Sequence, residues 1–370
     1  MTVTHHGAAS VPATDDAALR EVDDFLVRLG LGTLAGQPDR RSLPGRNTNV
    51  SGTTDTGRGV FVKKLEGPPD VVATRIRQCL AFEQLLRQSP EPGLSSPRCL
   101  GSDPASQLMV FELVEDAVTA VELVKNRELT DDLARSLGRT VGHLHSLPVD
   151  RLRQTERKTP LLPSTELLDG IPMALFEASS AAELQVWNLL QNDAPLADAL
   201  RVLLAREARA EPVAAHCDLR LDQFLMSGDR VHLTDLEEFQ AGDAARDLGG
   251  VVGDLLHRAV LDAATAEDPD REAAPSRERM LAQVTSGIRA ARPSIRAFWD
   301  GYLERRPGAV ALAARVVAFA GWHLLDRLLA GARTAPRLAA LPRAAAGIGR
   351  RALITPEKFV LTLGLTEEVA

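Results

Sequence analysis

The stretch from Ala215 to Gly249, AHCDLRLDQFLMSGDRVHLTDLEEFQAGDAARDLG, constrains the chain more than any other. It sets two aspartates, Asp218 and Asp235, into a strand-rich passage and places the amide of Gln223 between them. A second acidic pair, Asp243 and Asp247, follows at once. Carboxylate and amide oxygens are the ligand types that hold a hard divalent cation against phosphate oxygens. The stretch therefore asks for a metal-phosphate reaction centre, and for another part of the chain to bind the rest of the phosphate donor.

The front of the chain carries candidates for that part. Leu19, Val22, Phe25, Leu26 and Leu29 fall at helical spacing, so Asp15 to Leu31 is expected to be a helix. A hairpin is expected next, with one strand over Ser42 to Val50, the turn SGTTDTGRG, and a second strand over Val60 to Leu65. Its first arm holds Gly45, Asn47 and Asn49, and its turn is glycine-rich, which lets backbone N–H groups approach phosphate oxygens. Lys63 and Lys64 end the second strand. Side chains alternate along a strand, so if one lysine points out the other points in, and a buried ammonium needs an anion. Which of the two binds phosphate stays open at this point. The helix expected over Val71 to Arg87 offers Glu83 as the carboxylate for that lysine.

Further on, LMVFELV from Leu108 to Val114 reads as a buried strand. A helix is expected over Leu129 to Leu147, with Thr130 as its N-cap. His143 and His145 are expected to be polar positions at its end, because residues two apart lie on different helix faces and make a poor metal pair. Helical patterns return from Ser164 to Ala210 and from Val251 to Ala264, and a charged linker is expected over Ala266 to Arg279. Phe298, Trp299 and Tyr302 read as the aromatic content of a substrate lobe.

Composition excludes several classes. With 370 residues, 45% hydrophobic and 25% charged, the chain has material for two folded cores and is not of disordered or fibrous type. A net charge of −7 argues against a nucleic-acid partner. The three cysteines lack CxxC spacing, so neither a disulfide framework nor a zinc site is expected. Residues 1–14 read as a disordered tail without a signal peptide, His5 and His6 included, and no uninterrupted apolar run reaches the roughly 18 residues of a membrane span. A cytoplasmic location and no membrane partner are the expectations.

The motifs together resemble the aminoglycoside phosphotransferase and choline kinase-like family, which is built on the protein-kinase-like fold. The family's catalytic loop runs approximately H-G-D-x-x-x-x-N, and His216, Cys217, Asp218 and Gln223 stand at those places. LTDLE, with Asp235, is similar to its metal-binding segment, and GDAARDLG, with Asp243 and Asp247, to the motif after it. FELVEDA, which contains Glu112 and Val114, resembles its hinge. The resemblance implies a two-lobe α+β fold. An N-terminal nucleotide-binding lobe over residues 15–116 would carry an antiparallel sheet, and a mainly helical C-terminal lobe over residues 117–370 would carry the catalytic and acceptor sites, with ATP in the cleft between them.

The residue roles it implies are definite. Asp218 orients the acceptor hydroxyl and takes its proton; Arg220, which departs from the family pattern, is read from its own position two residues after Asp218 as a contact to the transferring phosphate or an acidic substrate, or as a salt bridge with Asp222 or Glu237. Gln223 and Asp235 hold Mg2+. Asn47, Asn49, Lys63, Glu83, Glu112 and Val114 serve ATP, with Glu83 fixing Lys63. Two departures stand out: Gln223 replaces the family's asparagine, and RLD at Arg220 to Asp222 replaces H-P-G.

Six arginines between Arg327 and Arg351 have no acidic residue among them, which suits an acidic partner better than a polycationic aminoglycoside. HCDLRLDQFL, LTDLEEF, GDLLHRAV, GWHLLDRLLAGA and GIGRRAL are also similar to the kinase subunits of class V lanthipeptide synthetases. That branch implies phosphorylation of Ser or Thr in a ribosomally made precursor peptide, with a separate lyase subunit. The alternatives are a small-molecule kinase acting on an aminoglycoside, a macrolide or a metabolite alcohol, and a pseudokinase scaffold.

Overall fold

Strand alternation organises the front of the molecule. In the computed structural model, which describes residues 16–37, 39–43, 47–152, 165–265 and 277–366, five antiparallel strands form one sheet. Their spatial order is Arg41–Leu43, Thr48–Thr53, Gly59–Lys64, Leu108–Glu112 and Cys99–Asp103. Val60 and Val62 face the helix Asp16–Arg28 and join Val22, Phe25, Leu26, Val50, Leu108 and Val110 in one buried cluster. Each such side chain contributes roughly 1.5–3 kcal/mol by leaving water. Lys64 shares that face at its rim and pairs with Glu21 of the helix. One residue earlier the side chain must point the other way, and Lys63 is only 8% exposed.

The expected hairpin is corrected in one respect. Its first arm is two strands, Arg41–Leu43 and Thr48–Thr53, paired with each other. The second continues through the residues assigned to the turn, because Ser51, Gly52 and Thr53 stay in register with Phe61, Val60 and Gly59. The turn shrinks to Thr54–Arg58, closed by the Thr54 N–H donating to the Arg58 carbonyl at 2.9 Å.

The chain divides into two compact units. The first takes Met1–Pro90, Ser95–Ala117 and Leu225–Glu238; the second takes Glu91–Leu94, Val118–Phe224 and Phe239–Ala370. The first unit is therefore not contiguous, and Leu225–Glu238 belongs to it although the segment lies far beyond residue 116. A hairpin of Phe224–Ser227 and Arg230–Leu233 leads to a short 3-10 turn, Leu236–Glu238, which packs on the helix Pro69–Gln88.

The second unit is mainly helical. The helix Asp131–Leu144 starts where Thr130 accepts a hydrogen bond from the Leu133 N–H at 3.2 Å, as the N-cap reading requires. It lies against the helix Arg277–Arg305 so closely that a Cβ on Gly138 would come within 1.9 Å of the Phe298 carbonyl oxygen. The aromatic reading of this region is corrected by that packing. Phe298, Trp299 and Tyr302 are 1%, 0% and 0% exposed, so they fill the core and do not line a substrate surface. Among the described residues one helical stretch, Pro307–Ala332, is long and apolar enough to cross a membrane, and 67% of its apolar 18-residue window is buried within the fold. The readings made for residues 1–14, Asp15, Gly45, Ser164 and residues 266–276 lie outside the described residues.

Candidate active site

The second unit builds the catalytic loop on a two-strand platform. Pro212–Ala215 pairs antiparallel with Gln240–Asp243, which sends His216, Cys217 and Asp218 off one strand end. The helix Ala244–Thr265 starts at the other strand's end and carries Asp247 in its first turn. Asp247 is fully buried, and its two oxygens accept the backbone N–H groups of His216 at 2.7 Å and Cys217 at 2.8 Å. Cys217 has a φ of +69°, a left-handed conformation that a residue with a Cβ adopts only when its surroundings impose it. Those two hydrogen bonds supply the constraint.

His145 reinforces the same point from a distance in sequence. Its side chain is fully buried, with Nε2 at 3.0 Å from Asp247 Oδ2 and Nδ1 at 2.9 Å from the Tyr302 hydroxyl. His145 stands at the helix end, as read from the sequence, where it is the C-cap; what the sequence did not show is that it is buried there as an internal strut. Burial pushes the Asp247 carboxyl up, but His145 and the loop N–H groups outweigh it and hold the group below the usual carboxylate range.

Asp254, two turns further along the helix, fixes the far side of the loop. Its Oδ2 accepts the Leu221 N–H at 3.0 Å, and a Cβ on Gly250 would approach the Leu219 carbonyl to 2.4 Å, so loop and helix are in direct backbone contact. Burial raises the Asp254 carboxyl, yet His323, the Leu221 N–H and Arg327 together lower it from 3.8 to about 2. A folded-state value below the unfolded one gives stability that is present above the unfolded value and lost as pH falls through the folded one. Between pH 5 and 2.5 the loss from this group is about 1.5 kcal/mol. Urea unfolding at the two pH values should show the wild type losing that much more than Asp254→Asn, and equal losses would remove Asp254 as a loop anchor.

Asp218 itself is presented outward, with its side chain 48% exposed. Arg220 reaches back to it, Nη1 to Asp218 Oδ2 at 2.7 Å, and forks onto Asp222 through Nε at 3.1 Å and Nη2 at 3.2 Å. Burial works against the guanidinium charge, but the two carboxylates more than restore it. Gln223 is buried, and its Oε1 accepts the Arg220 N–H at 2.8 Å, closing the loop. The extra methylene of glutamine lets the amide span that turn.

The first unit supplies the other predicted residues. Lys63 Nζ lies 2.5 Å from Asp235 Oδ1 and pairs also with Glu237 Oε1. Burial lowers the ammonium pKa, and the two carboxylates more than reverse this, so the group stays charged. Glu237, 3% exposed, also accepts from Asn47 Nδ2 at 2.9 Å and sits 3.8 Å from Arg75 Nε, which bonds Glu238 at 3.1 Å. Asp235 has a φ of +63° and a side chain 32% exposed.

The expected Lys63–Glu83 pair is not formed. Glu83 Oε1 instead accepts the backbone N–H of Cys99 at 2.8 Å, tying its helix to the edge strand. Glu237 takes the anchoring place because the face of the sheet that Lys63 occupies is the one that receives the Leu236–Glu238 turn.

Asn47 is buried and committed at both ends of its amide, since Oδ1 accepts the Glu66 N–H at 3.1 Å. Asn49 Oδ1 is buried and without a hydrogen-bond partner among the described residues. The Glu112 carboxylate is held by Arg58 and Arg98, both at 2.7 Å, and Val114 lies two residues past the strand end.

Asp235 offers a carboxylate in the first unit and Gln223 an amide carbonyl in the second, and each is an oxygen donor of the hard type that suits a divalent cation. Among the described residues no group of three or more His, Cys, Asp and Glu side chains forms a protein-only metal cage.

Residues 41–282 match the sequence profile of the phosphotransferase enzyme family. The chain belongs to that family. It is an ATP-dependent phosphotransferase that transfers phosphate to a hydroxyl group, and its fold is the two-lobe α+β kinase-like fold of the family. Among solved structures, the macrolide 2'-phosphotransferase of Brachybacterium faecium superposes with a TM-score of 0.50 at 18% identity, covering 89% of this chain and 98% of its own. An amicoumacin kinase solved with AMP-PNP, Ca2+ and Ami superposes at 0.51 and 15% identity, covering 93% and 96%. At these identities the likeness concerns the fold. The search of curated proteins gives no match.

The network also contains residues that the motifs left out. Glu237 lies inside LTDLEEF, and its spacing of two from Asp235 was the available signal. His145, Arg75 and Asp254 carry no sequence signal, because their partners are 102, 162 and 33 positions away, and only the fold brings them together.

Proposed function

We propose that the chain transfers the γ-phosphoryl group of ATP, bound with Mg2+, to the hydroxyl of a small molecule. The observation that carries this is the exposed Asp218 carboxylate on a loop whose backbone is pinned by the buried carboxylate of Asp247 on one side and by the half-buried carboxylate of Asp254 on the other. Phosphoryl transfer depends on positioning and electrostatics more than on covalent chemistry, and a fixed backbone under a solvent-facing base is what that requires. Asp218 orients the acceptor hydroxyl and accepts its proton. Lys63 binds phosphate oxygens. Backbone groups near Asn49 and at Glu112 to Val114 receive the nucleotide, and Asn47 supports Glu237 behind Lys63. Asp235 and Gln223 would hold Mg2+, which supplies neutralising charge to the phosphates.

Arg220 shares Asp218 with Asp222, and its cation can turn toward the transferring phosphate. Arg220→Met is expected to lower kcat by about 10- to 100-fold with little change in the KM for ATP. An unchanged kcat would confine Arg220 to bracing the loop.

Two solved proteins of this fold are named for small-molecule acceptors, a macrolide and amicoumacin, and this supports the small-molecule reading. A second reading, Ser or Thr of a precursor peptide handled together with a lyase subunit, is favoured by one observation. Arg337, Arg343 and Arg351 are exposed on and just before the helix Ala340–Ile354, where an acidic peptide would meet unopposed positive charge. Incubating the protein with ATP, Mg2+ and both acceptor classes, and reading added phosphate by mass spectrometry, decides between them. Phosphate on a small alcohol alone supports the first reading, and phosphate on peptide Ser or Thr alone replaces it with the second. Nucleotide binding without transfer to any hydroxyl would overturn both.

A further inference from the structure

The roles so far assigned in the catalytic loop leave Asp222 without one. It lies in the 3-10 turn Leu221–Gln223, and its side chain is 50% exposed. The hydrogen bonds of Arg220 divide unequally between Asp222 and Asp218. Asp222 receives two of them along one edge of the guanidinium, from Nε at 3.1 Å and from Nη2 at 3.2 Å. Asp218 receives one, from Nη1 to Oδ2 at 2.7 Å. Among the described residues Asp218 Oδ1 accepts no hydrogen bond from Arg220 or any other side chain.

The pairing of Arg220 with Asp218 alone would favour a different division. A guanidinium and a carboxylate bind best through two parallel hydrogen bonds, and Arg220 already touches Asp218. The root of the arginine is fixed, since its own N–H donates to Gln223 Oε1 at 2.8 Å and the next N–H, of Leu221, donates to Asp254 at 3.0 Å. From that root the side chain reaches two carboxylates, and the fork goes to Asp222. This matters for a base that must take a proton from a hydroxyl, because one of its oxygens has to receive that hydroxyl's hydrogen bond. With the fork on Asp222, Asp218 keeps Oδ1 for that purpose. With the fork on Asp218, both of its oxygens would already accept an N–H of the cation.

We propose that Asp222 is a positioning residue for phosphoryl transfer: by holding the fork of Arg220 it limits that cation to one oxygen of Asp218 and leaves the other to the acceptor hydroxyl. The inference rests on the phosphotransfer reading above and adds a residue to it. Asp222 acts through Arg220 and touches neither acceptor nor nucleotide in this role.

The test uses the full chain and Asp222→Asn, which keeps the size of a half-exposed side chain and removes its charge and one acceptor oxygen. With ATP, Mg2+ and a phosphorylated acceptor, kcat should fall about tenfold while the KM for ATP stays unchanged. The Arg220→Met, Asp222→Asn double variant should be no slower than Arg220→Met alone, because without the guanidinium Asp222 has nothing to hold. A residue that only stabilised the loop would slow the double variant further. A crystal structure of Asp222→Asn, which needs no turnover, should show Arg220 with two hydrogen bonds to Asp218 in place of one. That rearrangement, in a protein whose wild type transfers phosphate to no alcohol, would leave the hold of Asp222 on Arg220 standing and overturn the phosphotransfer reading. A wild-type kcat in Asp222→Asn, losses that multiply in the double variant, or an Arg220 that keeps its single bond to Asp218 would each overturn the positioning role.

Discussion

Asp218→Asn is expected to reduce phosphoryl transfer by a factor on the order of 10³, while nucleotide affinity stays within about twofold. The substitution keeps the shape of the side chain and removes its basicity. The loop should hold its form, because its backbone is fixed by Asp247 at His216 and Cys217 and by Asp254 at Leu221, and none of these bonds uses the Asp218 side chain. Arg220 loses one ionic partner and keeps its fork onto Asp222. Steady-state kinetics with a phosphorylated acceptor, together with calorimetric titration of ATP, separate the two effects. Transfer retained within tenfold would show that the acceptor proton leaves by another route.

The second large effect distinguishes two glutamates. Glu237→Ala is expected to destabilise the first unit by about 3 kcal/mol and to raise the KM for ATP, because it takes one of two neutralising carboxylates from the buried Lys63 and withdraws a carboxylate from Asn47 and Arg75. The neutralisation of Lys63 then falls more heavily on Asp235. Glu83→Ala should cost only about 1 kcal/mol, the worth of one hydrogen bond to the Cys99 N–H. Urea unfolding and the KM for ATP measured on both variants check the pair. The reverse ranking would mean that Glu83 moves to Lys63 during turnover and that the contact with Glu237 is a resting arrangement.

These glutamates also show what a sequence can and cannot disclose. The alternation of Lys63 and Lys64 places one on each face of the strand, and the structure follows it: Lys64 meets Glu21 and Lys63 meets Asp235. The helix of Asp16–Arg28, the Thr130 cap and the bracing of His216 and Cys217 by Asp247 were all accessible from periodicity, capping chemistry or motif. What failed were inferences about partners at long range. Glu83 had the right charge on the right helix, yet which carboxylate meets Lys63 depends on how the returning segment docks, and no local pattern encodes that. The same limit hid His145, whose apolar-flanked position is compatible with an exposed helix end until Tyr302 and Asp247 close around it. Phe298, Trp299 and Tyr302 were misjudged for a simpler reason: aromatic content alone does not separate a core from a binding surface.

The late return of residues Leu225–Glu238 to the first unit sets a timetable for synthesis. Asn47 and Lys63 emerge from the ribosome early, but the carboxylate that both of them contact is 190 residues beyond Asn47. Until it arrives, the inward-facing lysine lacks the carboxylate pair that neutralises it. The first unit can therefore close only after about two thirds of the chain exists. A nascent chain stalled before residue 237 should be open to protease attack near Lys63, and one released after it should not.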